Sequence, residues 1–541
     1  MNNIKAREAA IAAAQAHPVT ATSILRYQSR GRVAMIGTAE QLAGLGIFSS
    51  QLEIRKVLVG NNSRELALEG DDMQTEAASN IELEGYLGHF VLNSKRADTA
   101  QSLQADIVVN LTTQAYFTQQ VKPAGYLELA PGCDEFANLN DQLEEMVGVF
   151  EKPRYFHHDA SLCAHSANGR TVCTQCIDAC PADAISSLNQ KIEVNPYLCQ
   201  GGGSCATVCP SGAMQYLYPS LQDNGNRIRK MLQTYTEQGG ENAVLLLHAE
   251  DERVQALLQR FDSLLPLQLE ELASAGAELW MSALAYGAQQ VVLLVNDEVP
   301  SLSLQKLQQQ LDWCQSVLQG LNINPQLISL HDAYHELQLV ADEIRMQPAV
   351  TVMPQNKRTA FFQALDHLYS QAGKTREVVE LNADAPYGQA IIDENRCTLC
   401  MACVGSCPGR ALQDGSNREI PQIFFIESQC IQCGTCTQTC PEDAIAISPR
   451  LVLDREKRNQ GRVLNQDSPF ACISCGKPFA PTSVIHKMSH SLKGHYMFSS
   501  ERAKSRLKMC DQCRVADIVQ DPEALKGSFD PLNQNSGKRL S

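Results

Sequence analysis

The stretch CTLCMACVGSCP, Cys397–Pro408, followed by CIQCGTCTQTCP, Cys430–Pro441, decides how this chain is read. Each run spells C-x2-C-x2-C-x3-C-P. Cysteines two or three residues apart seldom staple a fold, but their thiolates converge readily on one metal centre. Two separate zinc sites are the bland alternative, and the repetition of the full pattern argues against them. Small neighbours such as Ala402, Gly434 and Thr435 let backbone N–H groups approach the sulfurs. Pro408 and Pro441 set the direction in which the chain leaves each run.

These runs resemble the bacterial two-cluster ferredoxins. In that family the fourth cysteine of each run ligates the other cluster. The resemblance therefore implies one [4Fe–4S] cluster on Cys397, Cys400, Cys403 and Cys440. It implies a second on Cys430, Cys433, Cys436 and Cys407. Three closely spaced thiolates can wrap three corners of a cube. The crossed fourth ligand ties the halves together and keeps the clusters near enough for electron exchange.

An earlier block repeats this plan with two departures. CPADAIS at Cys180–Ser186 echoes CPEDAIA at Cys440–Ala446, an internal duplication. In the run CTQCIDACP, Cys173–Pro181, the leading ligand position falls on Arg170. In CQGGGSCATVCP, Cys199–Pro210, the second falls on Gly202. Cys163 can make good the first loss if the Ala164–Val172 loop folds back. One [4Fe–4S] cluster is then expected on Cys163, Cys173, Cys176 and Cys209. His165 is a conceivable substitute ligand, but it reads as a surface histidine. The remaining set has only Cys180, Cys199 and Cys205. It resembles the three-iron half of seven-iron ferredoxins, which implies [3Fe–4S]. A [4Fe–4S] cluster with water or hydroxide on an open iron is the alternative, and Gly201–Gly203 leaves room for either.

CISCGKPF, Cys472–Phe479, and CDQCR, Cys510–Arg514, supply four more thiolates, Cys472, Cys475, Cys510 and Cys513. Two CxxC knuckles are a zinc-ribbon or treble-clef signature, so Zn2+ is expected, with mononuclear iron or another iron–sulfur cluster as rivals. His486, His490 and His495 lie between the knuckles and read as surface residues, because four cysteines already complete a tetrahedral site.

The chain has 541 residues and 21 cysteines. Cys133, Cys163, Cys199 and Cys314 stand apart from the tight groups. Thiolates that hold metal require a reducing compartment, so a cytoplasmic location is expected. The 60 acidic and 45 basic side chains leave a net charge of -15. That balance argues against nucleic acid and suits a basic protein partner. The N-terminus reads as a helix ending near Pro18, not a signal peptide. No apolar run reaches the roughly 18 residues of a membrane-spanning helix, so no direct membrane insertion is expected.

Residues 1–150 read as a small α/β domain, with strands at RVAMIG (Arg32–Gly37), KVLVG (Lys56–Gly60), HFVLN (His89–Asn93) and ADIVVNL (Ala105–Leu111). Glycines follow the first strand without a GxGxxG, which favours a plain scaffold over nucleotide binding. Residues 151–220 form the first ferredoxin-like domain and 391–450 the second. Between them, 227–345 alternates strands and helices, which predicts a parallel sheet covered on both faces. Residues 346–390 read as a linker with one helix, 465–520 as the metal-knuckle region and 525–541 as a disordered tail.

The stretch Leu267–Asp297 resembles the delta subunit of methyl-viologen-reducing hydrogenase, an α/β domain with its own [2Fe–2S] cluster. Here His248, Asn296 and Asp297 stand around the strand ends instead of cysteines, and Cys314 reads as a buried structural thiol. The resemblance thus implies the fold without its cluster, serving docking or spacing; a retained flavin or nucleotide contact stays open. The chain as a whole resembles large proteobacterial iron–sulfur cluster-binding proteins paired with formate dehydrogenase systems, through Cys163–Pro181, Cys199–Met214, the second block and the CGKPF knuckle. No nucleophile-plus-base set is evident. The reading is therefore a non-catalytic electron carrier between a dehydrogenase, formate dehydrogenase by resemblance, and an acceptor. An oxidoreductase using an open cluster or a flavin, and a maturation factor for a molybdoenzyme, are the rivals.

Overall fold

The structure, a computed structural model, describes all residues except 1, 44, 46–47, 61–72, 76, 95–100, 130–137, 166–170, 333–334, 341–345, 374, 417–419 and 523–541. Cys133, Arg170 and the tail 525–541 lie outside the described residues. The chain divides into two compact units, Met1–Arg376 and Glu377–Ser541.

The first unit opens on a five-stranded, all-parallel sheet. Its spatial order is Met73–Thr75, Glu53–Val59, Arg32–Gly37, Ile107–Asn110, Tyr126–Glu128. The central strand Arg32–Gly37 is buried along all but its first residue, because both faces of the sheet are covered. Leu42, Leu139 and Leu143 pack on one face. The other carries a three-stranded antiparallel sheet whose middle strand, Phe90–Ser94, contributes Phe90 and Leu92. HFVLN is therefore a strand, but of this second sheet. The crevice where the parallel order reverses is a favoured ligand site in such folds. Here Gln41 bridges it: its Nε2 donates to Leu111 O at 2.6 Å and its Oε1 accepts from Thr38 N at 2.8 Å.

The middle α/β module is a four-stranded parallel sheet in the order Leu264–Gln268, Val244–His248, Gln290–Leu294, Ile328–His331. Helix Ala277–Ala285 is buried throughout, and Cys314 is fully buried within helix Ser301–Gly320. The ends of its strands are tied to one another. Arg253 Nη2 donates to Val295 O at 2.6 Å, and Asn296 Nδ2 to Glu250 O at 3.1 Å.

Two segments distant in sequence complete this module. The N-terminal helix Asn2–Gln15 presents Ala6, Ala10 and Ala14, one buried stripe at every fourth residue, which allows close helix approach. Arg7 Nη1 then donates to Leu258 O and Phe261 O, both at 3.0 Å. The single helix of the 346–390 stretch, Lys357–Gln371, buries Ala360, Phe361, Ala364, Leu365 and Leu368 on one face. Phe361 meets Trp313 edge-on at 5.5 Å.

Between the two α/β modules of this unit sits the first cysteine block. Tyr197 stacks on Tyr86 at 4.7 Å, and Gln200 Nε2 donates to Lys122 O at 2.9 Å. On its other side Lys357 Nζ donates to Ala206 O and Thr207 O at 2.9 and 2.5 Å.

The second unit holds strand Ile445–Val452 between Val378–Glu380 and Gly388–Ile392, all antiparallel, and a sheet of Leu412–Asp414, Gln422–Phe425 and Arg462–Gln466. Ile423, Phe425, Leu412 and Leu399 form its core together with the cysteines. Glu427 anchors the turn before Cys430. It is buried, and accepts from Arg450 at 2.9 and 2.8 Å and from Arg462 at 2.7 Å. The C-terminal part is the hairpin of Pro469–Ala471 and Pro478–Pro481 with helices Thr482–Ser491 and Asp511–Val519.

Candidate metal centres

The two runs of the second unit fold into matching loops. The middle cysteine of each is flanked by residues in the left-handed region: Leu399 (φ 55) and Met401 (φ 62) around Cys400, and Gln432 (φ 52) and Gly434 (φ 76) around Cys433. This curl aims successive thiols at one point, and a five-residue helix follows each time, Ala402–Ser406 and Thr435–Thr439.

The thiols assemble across the runs. Burial pushes Cys403 up to about 12, and the groups that add to it are Cys397, Cys400 and Cys440. Cys436 is raised by burial and then by Cys430, Cys433 and Cys407, with Cys403 last. Each group of four thus takes its last member from the other run. Ala444 N donates to Cys440 Sγ at 3.3 Å. Clustered, half-buried thiols oppose one another's ionisation, so the sets need a cationic partner. A [4Fe–4S] cluster supplies one, and the donor sets fit it. Cys400 is exposed at the surface.

The first unit reproduces this geometry. Ala184 N donates to Cys180 Sγ at 3.3 Å, matching Ala444 and Cys440. Burial raises Cys176, and Cys209, Cys173 and Cys163 add to it. Cys163 therefore does stand with the other three. Cys205 is raised by burial, then by Cys199 and Cys180, with Cys176 and Cys209 further down. Gly201 (φ 82) and Gly203 (φ 78) keep the left-handed curl around Gly202. The loop has retained the shape of a ligand loop and lacks only the thiol. A Cβ on Gly202 would meet nothing nearer than Pro181 Cγ at 3.8 Å.

His165 is not a surface residue. It is 1% exposed, with Nδ1 2.7 Å from Cys173 O and Nε2 2.7 Å from Ser187 Oγ. Both ring nitrogens are engaged, so it braces the Cys173 loop and leaves no lone pair for iron. A buried histidine of this kind has no mark in sequence apart from its position between two cysteines.

Around the three-thiol site the structure adds residues that the sequence did not single out. A cavity of about 230 Å³ is lined by Cys180, Cys199, Cys205, Gly202, Glu271 and Tyr216, among others. The cavity beside Cys397, Cys400, Cys403 and Cys440 is about 20 Å³. Tyr216 Oη is buried without a hydrogen-bond partner. Lys152 Nζ donates to Cys199 O at 2.7 Å and Tyr197 O at 3.1 Å. Burial lowers Lys152 to about 8, against the pull of Cys199.

Cys472, Cys475, Cys510 and Cys513 bring their sulfurs within 4.8 Å of one another, close enough for one metal ion. The first pair sits in the hairpin turn, with Gly476 (φ 74) closing the knuckle. The second opens helix Asp511–Val519. Burial raises Cys472, but N–H groups of Cys510, Cys475 and Ser474 outweigh it and lower the thiol. His486, His490 and His495 are exposed, away from this role.

Two stretches match known domain families: residues 158–223 and residues 396–445, each to a 4Fe-4S dicluster domain. No curated protein matches the chain. The chain thus carries two ferredoxin-type domains, and iron–sulfur clusters and an electron-transfer role follow from them. Among the described residues no helix is long and apolar enough to cross a membrane.

Proposed function

We propose that the chain is a polyferredoxin-like adaptor that relays electrons between a dehydrogenase and an acceptor. The ligands are those grouped above: Cys397, Cys400, Cys403 and Cys440; Cys430, Cys433, Cys436 and Cys407; Cys163, Cys173, Cys176 and Cys209; and the triad Cys180, Cys199 and Cys205. Bound there, the clusters supply one-electron exchange; the protein places them, surrounds them with N–H donors and excludes water. The observation that carries this reading is the crossed thiol grouping in both dicluster domains. Exposed Cys400 marks an edge where electrons cross to a partner. The net charge of -15 favours a basic docking face on that partner. Formate dehydrogenase is the donor suggested by sequence resemblance, the C-terminal four-cysteine group holds Zn2+, and the cytoplasm is the compartment.

Anaerobic purification, iron and zinc quantitation and low-temperature EPR test this. Reducible cluster signals, copurification with a dehydrogenase and no turnover of formate alone are expected. A metal-free, colourless preparation would end the proposal. The cavity beside Gly202 favours one second reading, an oxidoreductase acting at the open cluster corner. Turnover of formate or NADH with a soluble dye by the isolated protein would establish that instead.

A further inference from the structure

The three-thiol site lacks one donor, and the wall of its cavity holds a carboxylate that lacks a cation. Glu271 lines the cavity with Cys180, Cys199, Cys205 and Gly202. It belongs to the middle α/β module, but the turn that carries it is clamped onto the ferredoxin fold. Thr207 Oγ1 donates to Ala273 O at 3.2 Å. Gly203 lies so close to this turn that a Cβ there would come within 2.4 Å of Ser274 Cα. Helix Ser204–Val208 and the turn Leu272–Ser274 are therefore held against each other, with Glu271 at the turn's leading edge in the wall of the cavity that Gly202 also lines.

Glu271 is half-buried, and its carboxylate makes no hydrogen bond or ion pair among the described residues. Burial raises its carboxyl, and the charges of Glu270 and Glu298 add to that. A carboxylate withdrawn from water among like charges calls for a cation. To hold a four-iron cluster the thiol triad needs a fourth oxygen, nitrogen or sulfur donor. Glu298 also lines the cavity but is exposed at its rim, so it keeps its water.

We propose that Glu271 is the fourth ligand of the cluster on Cys180, Cys199 and Cys205, a carboxylate standing in for the thiolate that Gly202 cannot provide. The site is then a complete [4Fe–4S] centre with mixed ligation. The inference rests on the electron-transfer reading and deepens it. A module with no cysteine besides Cys314 contributes directly to a cluster, and the iron content of the ferredoxin domain depends on its being docked.

The test uses the full-length protein purified anaerobically, with iron quantitation and EPR of the oxidised state. The wild type is expected to show no three-iron signal. Glu271→Ala should lose one iron per chain and gain a three-iron signal approaching one spin per chain. Glu271→Gln, nearly identical in shape, should do the same and guards against a folding defect in the alanine variant. Gly202→Cys combined with Glu271→Ala should restore the iron. A three-iron signal of equal size in wild type and Glu271→Gln overturns the proposal, as does release of the iron by Glu298→Ala in place of Glu271→Gln. The reduced signals of the Cys397–Cys440 clusters serve as the internal reference. Their absence from the wild type would overturn the electron-transfer reading itself.

Discussion

The Cys163–Cys209 and Cys397–Cys440 domains are two versions of one device: they share the curl of the ligand loops and differ in the displaced first ligand, Cys163, and in the thiol missing at Gly202. The N–H···S bond after the last cysteine of a run is 3.3 Å in both, Ala184 to Cys180 and Ala444 to Cys440. The left-handed pair around the middle ligand is kept, Gly201 and Gly203 in one, Gln432 and Gly434 in the other. What changes is the residue at the middle position, Gly202 against Cys433, and in the first domain a cavity of about 230 Å³ lies beside it. The comparison teaches that a ligand can be deleted while the loop that presented it persists, because the loop's curl is set by backbone conformation. The two also differ in surroundings. The first domain is wedged between α/β modules, whereas the second brings Cys400 to the surface.

The largest effect should come from breaking the complete domain. Cys436→Ser is expected to remove a whole cluster and with it the cooperative unfolding of the second unit, seen as loss of visible absorbance and of a thermal transition. Gly202→Cys in the first domain should be benign by contrast, with thermal stability kept and the new thiol inaccessible to alkylation once the cluster is assembled. If that thiol alkylates freely in the holoprotein, the loops are less alike than their dihedrals indicate.

Packing offers the next test. Glu427→Ala strands Arg450, while Arg462 keeps Gln389 Oε1, and should cost about 3–5 kcal/mol of the second domain's stability, measured by denaturant unfolding. Phe361→Ala, in the helix that closes the middle module, should cost about 3–5 kcal/mol, confined to the first unit.

The smallest effect is acid sensitivity in the N-terminal sheet. Burial pulls the Asp106 carboxyl up, but hydrogen bonds from Arg32 and from the backbone N–H groups of Arg32 and Arg30 outweigh it. The carboxyl is held below its ordinary value near 3.8. A depressed carboxylate contributes its stability above the unfolded-state value and loses it as pH falls through the folded one. Melting of the first unit should therefore weaken as pH falls below about 4, and Asp106→Asn should flatten that dependence.

Much of the site was legible because thiol spacing is local information. Three cysteines at fixed short intervals converge whenever the loop curls, and the residues that permit the curl, Gly201, Gly203 and Gly434, stand in the same few positions. Cys163 was drawn in because a set of three lacked a fourth, and the structure brings its thiol near Cys176. Strands such as Arg32–Gly37 and Val244–His248 were legible as unbroken apolar runs. The sequence did not reveal which sheet Phe90–Ser94 would join, since an apolar run does not name its partner. Nor did it reveal that helices Asn2–Gln15 and Lys357–Gln371 would close the middle module, since their apolar stripes fit any complementary face. His165 was misread because burial is a property of what packs over a residue. Glu271 had no signal at all. A carboxylate becomes a candidate ligand only when a turn from another module is clamped beside a vacant position, and that adjacency, set by long-range packing, belongs to the tertiary structure alone.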